Sequence, residues 1–256
     1  MGAVMRVALM QGASVSGDVE AGLSQVVQAI GVAGAAGAAV LVVPECWLPG
    51  YNCADLTARA LERGGDWQAR LAVACAQAGC GVVVGYAEAA PKSVFNAALA
   101  LDAAGHEVAH YRKIQLYGPR EKTLYTPGDA YVTFDLGGVK AGLLICYDIE
   151  FAPHVAALAG MGVQLILVPT ANMLPFTHVM RATVPAMAAN HGVAIVYANY
   201  CGIEGDLHYA GGSLIAGPHG EVVAQAGMGP ALLIADLPAR DAGYLSTQAQ
   251  DFRAIS

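Results

Sequence analysis

Short, unbroken apolar runs recur along the chain, and they constrain its fold more than any other feature. They include Val7 to Met10, Leu41-Val42-Val43, Val82-Val83-Val84, Leu165 to Val168 and Val193 to Val196. A strand with one wet face alternates apolar and polar residues, whereas an unbroken run of this length marks a strand buried on both faces. Helical patterns fall between the runs. Residues 18–34 place Val19, Leu23, Val26, Val27 and Ile30 on one face, and residues 67–78 form a second such segment. Residues 94–102 and 106–112 flank Asp102-Ala103-Ala104-Gly105, a turn composition, and read as a hairpin.

The second half of the chain echoes the first. Leu165-Ile166-Leu167-Val168-Pro169 answers Val40-Leu41-Val42-Val43-Pro44, and His191 to Tyr197 answers Gly79 to Gly85. A hairpin over 212–216 and 221–226 then takes the place of the earlier one. Two β-α-β-hairpin halves predict an α/β fold in which two sheets pack face to face with helices outside, a four-layer α-β-β-α sandwich. No Ser/Pro/Gly-rich linker divides the chain, so residues 1–256 are expected to form a single domain.

Composition excludes several classes. Of the 256 residues, 56% are apolar and 13% charged, about half the usual ~25%. Disordered chains show the opposite balance. The longest apolar blocks, such as 139–146 and 162–169, fall well short of the ~20 residues that span a bilayer. Net charge is −7 with no basic stripe, which disfavours nucleic acid and anionic membrane surfaces as partners. The N-terminal segment lacks the apolar stretch and cleavage site of a signal peptide, and Arg6 stands where a myristoylation signal needs Ser or Thr. The six cysteines form no CxxC pair. The expectation is a cytoplasmic protein with reduced thiols.

Three positions stand out chemically. Cys146 ends the strand-like run 139–145, and Pro153 marks an early position of a following helix. A thiol at that point faces a crevice, with free backbone N–H groups just after it. Glu45 follows a buried strand and Pro44 in apolar surroundings that raise a carboxyl pKa, as suits a general base. Adjacent Arg112 and Lys113 end a strand and point to opposite faces, so one is solvated while the other reaches the interior. Taken singly, each has a plain alternative: a core cysteine, a solvated strand-end glutamate, an exposed lysine.

As a set, they resemble the nitrilase, or carbon–nitrogen hydrolase, superfamily over nearly the whole chain. Its Glu motif appears as Leu41-Val-Val-Pro-Glu45-Cys-Trp-Leu-Pro-Gly50-Tyr51. The Lys motif is Tyr111-Arg-Lys113-Ile-Gln-Leu-Tyr-Gly118, and the Cys motif is Gly142-Leu-Leu-Ile-Cys146-Tyr-Asp148-Ile-Glu-Phe151. Glu121, eight residues after Lys113, matches a second glutamate common in the family.

The resemblance implies a mechanism that needs neither metal nor cofactor. Glu45 takes the thiol proton and Cys146 attacks an amide carbonyl. Lys113 and the backbone N–H of Tyr147 hold the oxyanion, and water then hydrolyses a thioester to release the acid. Glu121 would orient substrate or Lys113.

Where relatives often carry Arg-Phe-Pro-Glu after the nucleophile, this chain has Glu150-Phe151-Ala152-Pro153. That change favours a neutral or amine-bearing substrate if Glu150 faces the pocket; otherwise Glu150 points to solvent or starts a helix. Tyr51, Asn172 and Met173 are further candidates for the pocket wall. Tyr147 in place of a Trp after the cysteine, with the segments 168–175 and 184–190, resembles the branch acting on aliphatic or amino-acid amides. N-carbamoyl hydrolysis, nitrile hydrolysis and an inactive small-ligand binder are the alternatives. Family members pair through helices flanking the Cys motif. Ala156, Ala157, Ala159, Gly160 and Gly162, with Ala182, Ala186, Ala188 and Ala189, are small enough for such contacts, so a homodimer or higher oligomer is expected.

Overall fold

The apolar runs become the central strands of two sheets in a computed structural model, which describes residues 5–253. The first half contains β1 (Arg6–Gln11), α1 (Val19–Ala35), β2 (Val40–Val42), β3 (Leu61–Glu62) and α2 (Asp66–Ala78). It continues with β4 (Gly81–Ala90), β5 (Ser93–Leu101), β6 (Glu107–Arg112) and α3 (Gly118–Leu124). The second half opens with β7 (Thr133–Leu136), β8 (Val139–Leu143), α4 (Ala152–Gly160), β9 (Leu165–Pro169), α5 (Val184–His191) and β10 (Ala194–Ala198). There follow β11 (Ile203–Glu204), β12 (Leu207–His208), β13 (Leu214–Ala216), β14 (Val222–Gln225), β15 (Ala231–Asp236) and α6 (Gln248–Asp251).

The two sheets have the same plan. In one, the order is β15-β1-β2-β4-β5-β6, with β3 beside β4; in the other it is β7-β8-β9-β10-β13-β14. Three parallel strands lie at the centre of each, β1-β2-β4 and β8-β9-β10. An antiparallel hairpin extends each on one side, and one antiparallel strand closes the other side. The β-α-β-hairpin echo in the sequence is therefore an internal two-fold repeat of structure.

Side-chain alternation sorts the first sheet into two faces. Val7, Leu9, Val40, Val42, Ala98 and Tyr111 pack against Ala141, Leu143 and Leu165 of the other sheet. Ala8, Leu41, Val43, Val82 and Val84 turn the other way, onto Leu23, Val26 and Ile30 of α1 and Leu71 of α2. On the far side Val155 and Leu158 of α4 and Val184 and Ala188 of α5 cover the second sheet. This is the expected α-β-β-α order, and it explains why the central strands carry no polar face. Asp18 caps α1, its carboxylate accepting the Ala21 N–H at 2.9 Å. Pro153 sits in the first turn of α4 as its fixed φ allows.

Local pattern does not reveal β7 and β15. β15 pairs with β1, Arg6 opposite Asp236 and Gln11 opposite Ala231. Its partner is more than two hundred residues away, and nothing in Ala231-Leu-Leu-Ile-Ala-Asp236 names it. Among the described residues no helix is long and apolar enough to cross a membrane.

Candidate active site

The C-terminal ends of β2, β6 and β8, with α3, bring the sequence-predicted residues together. β2 runs on through Val43, whose N–H still bonds the Val83 carbonyl at 2.9 Å, and Pro44 then ends the ladder. Glu45, the next residue, is fully buried. Its N–H points to the Thr170 carbonyl at 3.3 Å, at the equivalent strand end of the other half. Gly85 of β4 makes room for this turn. A Cβ there would stand 2.5 Å from the Pro44 oxygen and 2.7 Å from Glu45 Cα.

Lys113 follows β6 with its N–H on the Asn96 carbonyl at 2.8 Å. The opposite-face expectation holds. Arg112 turns out to Glu88 at 2.7 and 2.8 Å and lies over the Phe95 ring, while Lys113 is buried. Its Nζ donates to Glu45 Oε1 at 2.6 Å and to Glu121 Oε1 at 2.8 Å. Glu121 belongs to α3; its second oxygen accepts the Tyr117 N–H at 2.8 Å, and its first also accepts the Tyr51 hydroxyl at 2.7 Å. Asn96 donates to Glu45 Oε1 at 2.6 Å, whereas Glu45 Oε2 has no hydrogen-bond partner among the described residues.

Burial lifts the Glu45 carboxyl to about 6 against the pull of Lys113. For Lys113 burial works against the charge, but Glu121 and Glu45 hold the ammonium well above its ordinary value. One positive charge thus lies between two carboxylates in an interior where an unpaired ion would be costly.

Cys146 takes a left-handed φ of +47° where the chain leaves the β8 strand for a 3-10 turn, Cys146–Glu150. This conformation costs a non-glycine residue about 1–3 kcal/mol, and here the residue that adopts it lines the cavity. Burial and the Glu45 charge push the Cys146 thiol well above its ordinary value, with Lys113 opposing. The other five cysteines are buried and free. The first N–H groups of a helical turn have no intrahelical acceptor, which leaves that of Tyr147 available.

A cavity of about 230 Å³ opens at Cys146. Tyr51, Tyr147, Glu150, Asn172 and Met173, all expected from sequence, line it. Two have tasks beyond forming a wall: Tyr51 holds Glu121, and Asn172 Nδ2 anchors the Phe176 carbonyl at 3.0 Å. Tyr117, Phe176 and His178 also line it and were not singled out in the sequence.

Two further residues escaped the sequence reading. Asn96 is the sole polar side chain in Val94-Phe-Asn-Ala-Ala-Leu-Ala-Leu101, a break in an apolar strand that was its only signal. Asp148 is buried; its carboxylate accepts Gln115 N–H at 2.7 Å, Tyr111 hydroxyl at 2.8 Å and Ile145 N–H at 3.0 Å. It ties the segment after Lys113 to the backbone that precedes Cys146.

Comparison with known proteins agrees with this geometry. The carbon-nitrogen hydrolase family matches residues 6–245. A hydrolase encoded in the pqqF 5′ region of Pseudomonas protegens is 39% identical over 91% of this chain and 82% of its own length. An (R)-stereoselective amidase from a Pseudomonas species is 35% identical over 87% of this chain and 81% of its own. The crystal structure of an amidase from Nesterenkonia sp. superposes with a TM-score of 0.89 at 36% identity, covering 99% of this chain and 95% of that one. Further structures of variants of that amidase hold butyramide, or carry acrylamide added to the active-site cysteine. The chain belongs to the carbon-nitrogen hydrolase family, as an enzyme of the amidase type that acts on carbon–nitrogen bonds.

Proposed function

We propose that the enzyme hydrolyses a small carboxamide to its carboxylic acid and ammonia through a thioester on Cys146. The observation that carries this reading is the Lys113 ammonium, fixed between Glu45 and Glu121 near the Cys146 thiol, which lines a small cavity. Glu45, at about 6, is ionised at neutral pH and has an unpartnered oxygen to receive the Cys146 proton. The sulfur attacks the amide carbon, and the oxyanion forms between Lys113 Nζ and the Tyr147 N–H, donors worth about 3 kcal/mol each. Glu45 delivers the proton to the departing ammonia, which leaves the acyl thioester. It then takes a proton from water as the water attacks that thioester, and returns it to the sulfur as the acid departs. Glu121 and Tyr51 hold Lys113 in place throughout.

The site draws on both halves, which supports reading the chain as one catalytic domain. Six free cysteines suit a cytoplasmic setting. Ala156 and Gly160 of α4 and Ala186 of α5 are exposed small residues, which suits pairing of two copies across these helices. The test is ammonia release from butyramide and acrylamide. Wild type should release it, and Cys146→Ala should release none while keeping the far-UV CD spectrum of the native fold. Turnover by Cys146→Ala near the wild-type rate would overturn the assignment.

A further inference from the structure

The cavity wall carries one carboxylate that the chemistry above does not use. Glu150 ends the 3-10 turn that Cys146 begins. Its side chain lines the cavity yet takes no hydrogen bond or ion pair within 4 Å from the described residues. Two of the neighbouring polar groups are committed elsewhere, Tyr51 to Glu121 and the Asn172 amide to the Phe176 carbonyl, while the Tyr117 and Tyr147 hydroxyls line the cavity without taking a bond to Glu150. No lysine or arginine lines the cavity, and His178 is the only basic side chain there. Beneath it, Lys113 is shared by Glu45 and Glu121, so that cluster already carries one excess negative charge before Glu150 is added.

Much of the remaining wall is aromatic, with Ala171 and Met173 beside the rings. The Tyr117 ring meets Tyr147 edge-on at 5.3 Å and Phe176 at 6.1 Å, which fixes three rings around the opening. Aromatic faces beside an unpaired carboxylate form a receptor for an ammonium group.

We propose that Glu150 is a specificity residue that receives a protonated amine on the acyl side of the amide, making small amino amides better substrates than uncharged amides of the same shape. The inference rests on the amidase reading and names its substrate class. The cavity of about 230 Å³ limits the acyl chain to a short one. Burial also raises the Glu150 carboxyl, with His178 and Lys113 only partly opposing, and a bound ammonium would favour its ionised form.

Two isosteric pairs test this, because each exchanges only a methyl group for an ammonium: butyramide against β-alaninamide, and propionamide against glycinamide. Ammonia release at pH 7.5 gives kcat/KM for each. The expected result is at least a tenfold preference for the ammonium member in one pair or both, with that ratio collapsing tenfold or more in Glu150→Gln and partly recovering in Glu150→Asp. Should these variants misfold, the wild-type protein still decides. Propylammonium should then inhibit butyramide hydrolysis competitively, and more strongly than propanol does. Butyramide hydrolysis with no preference for β-alaninamide or glycinamide overturns the amine site alone. So does a ratio that Glu150→Gln leaves unchanged. Absence of ammonia from all four amides overturns the amidase reading and this inference with it.

Discussion

Asn96 Nδ2 lies 2.6 Å from Glu45 Oε1, the same oxygen that Lys113 reaches at 2.6 Å, and both donors leave Oε2 free. The carboxylate is therefore held by one oxygen and open for proton transfer at the other. A donor to a carboxylate stabilises its charged form and lowers its pKa. Asn96→Leu removes that donor at similar volume, so the Glu45 carboxyl should rise above its value of about 6. In the proposed mechanism only the ionised form accepts the thiol proton. The acid limb of the kcat/KM–pH profile should accordingly fall near pH 6 in the wild type and move to higher pH in the variant. An unshifted limb would separate Asn96 from Glu45 ionisation.

Gly85 tests how finely the Glu45 turn is placed. Its missing side chain leaves room for Pro44 and Glu45, and a methyl group would stand 2.6 Å from the Cys46 nitrogen. Gly85→Ala must displace the Glu45 backbone by a substantial fraction of an ångström. Misplacement of about 1 Å costs on the order of 100-fold in rate. We expect kcat/KM to fall by about that factor while the far-UV CD spectrum remains that of the wild type.

Glu88 gives a stability prediction away from the chemistry. Burial raises its carboxyl, but hydrogen bonds from Arg112 and His110 more than offset this and bring it to about 2. A depressed carboxyl contributes stability that is fully present above its unfolded value, near 4.5, and is lost as pH falls towards 2. Arg112 is partly open to solvent, so screening trims the contribution to about 2–3 kcal/mol at neutral pH. Glu88→Gln should lower urea stability by that amount at pH 7, and the gap from wild type should close between pH 5 and pH 2.

The exposed small residues of α4 and α5 carry the oligomer prediction. Light scattering should give at least a dimer for the wild type. Ala156→Arg or Ala186→Glu should yield monomers, because a charged side chain cannot enter a close helix contact without desolvation. A monomeric wild type would sink the proposed pairing.

The legible parts of the molecule are those whose cause is local. Leu41-Val42-Val43 and Leu165 to Val168 are apolar on both faces because they lie at the centre of covered sheets, so their burial is written in consecutive residues. Glu45 and Cys146 could be read because each follows such a strand, and Lys113 because it ends the alternating edge strand β6. Arg112 and Lys113 could be told apart because strand side chains alternate. β15 and Asp148 were opaque for the opposite reason. What makes β15 a strand is β1, at the far end of the chain. What gives Asp148 its importance is a set of donors, at Tyr111 and Gln115, that reach it only after the sheets are built.

The two-fold repeat described above divides the reacting groups as well as the strands. Glu45, Asn96, Lys113 and Glu121 all come from the half before β7, while Cys146, Tyr147 and Glu150 come from the half after it. Neither half owns both the proposed nucleophile and the proposed base. On the proposed mechanism turnover is thus a gauge of docking between the two sheets: loosening of that seam should lower the rate while every strand and helix is still in place.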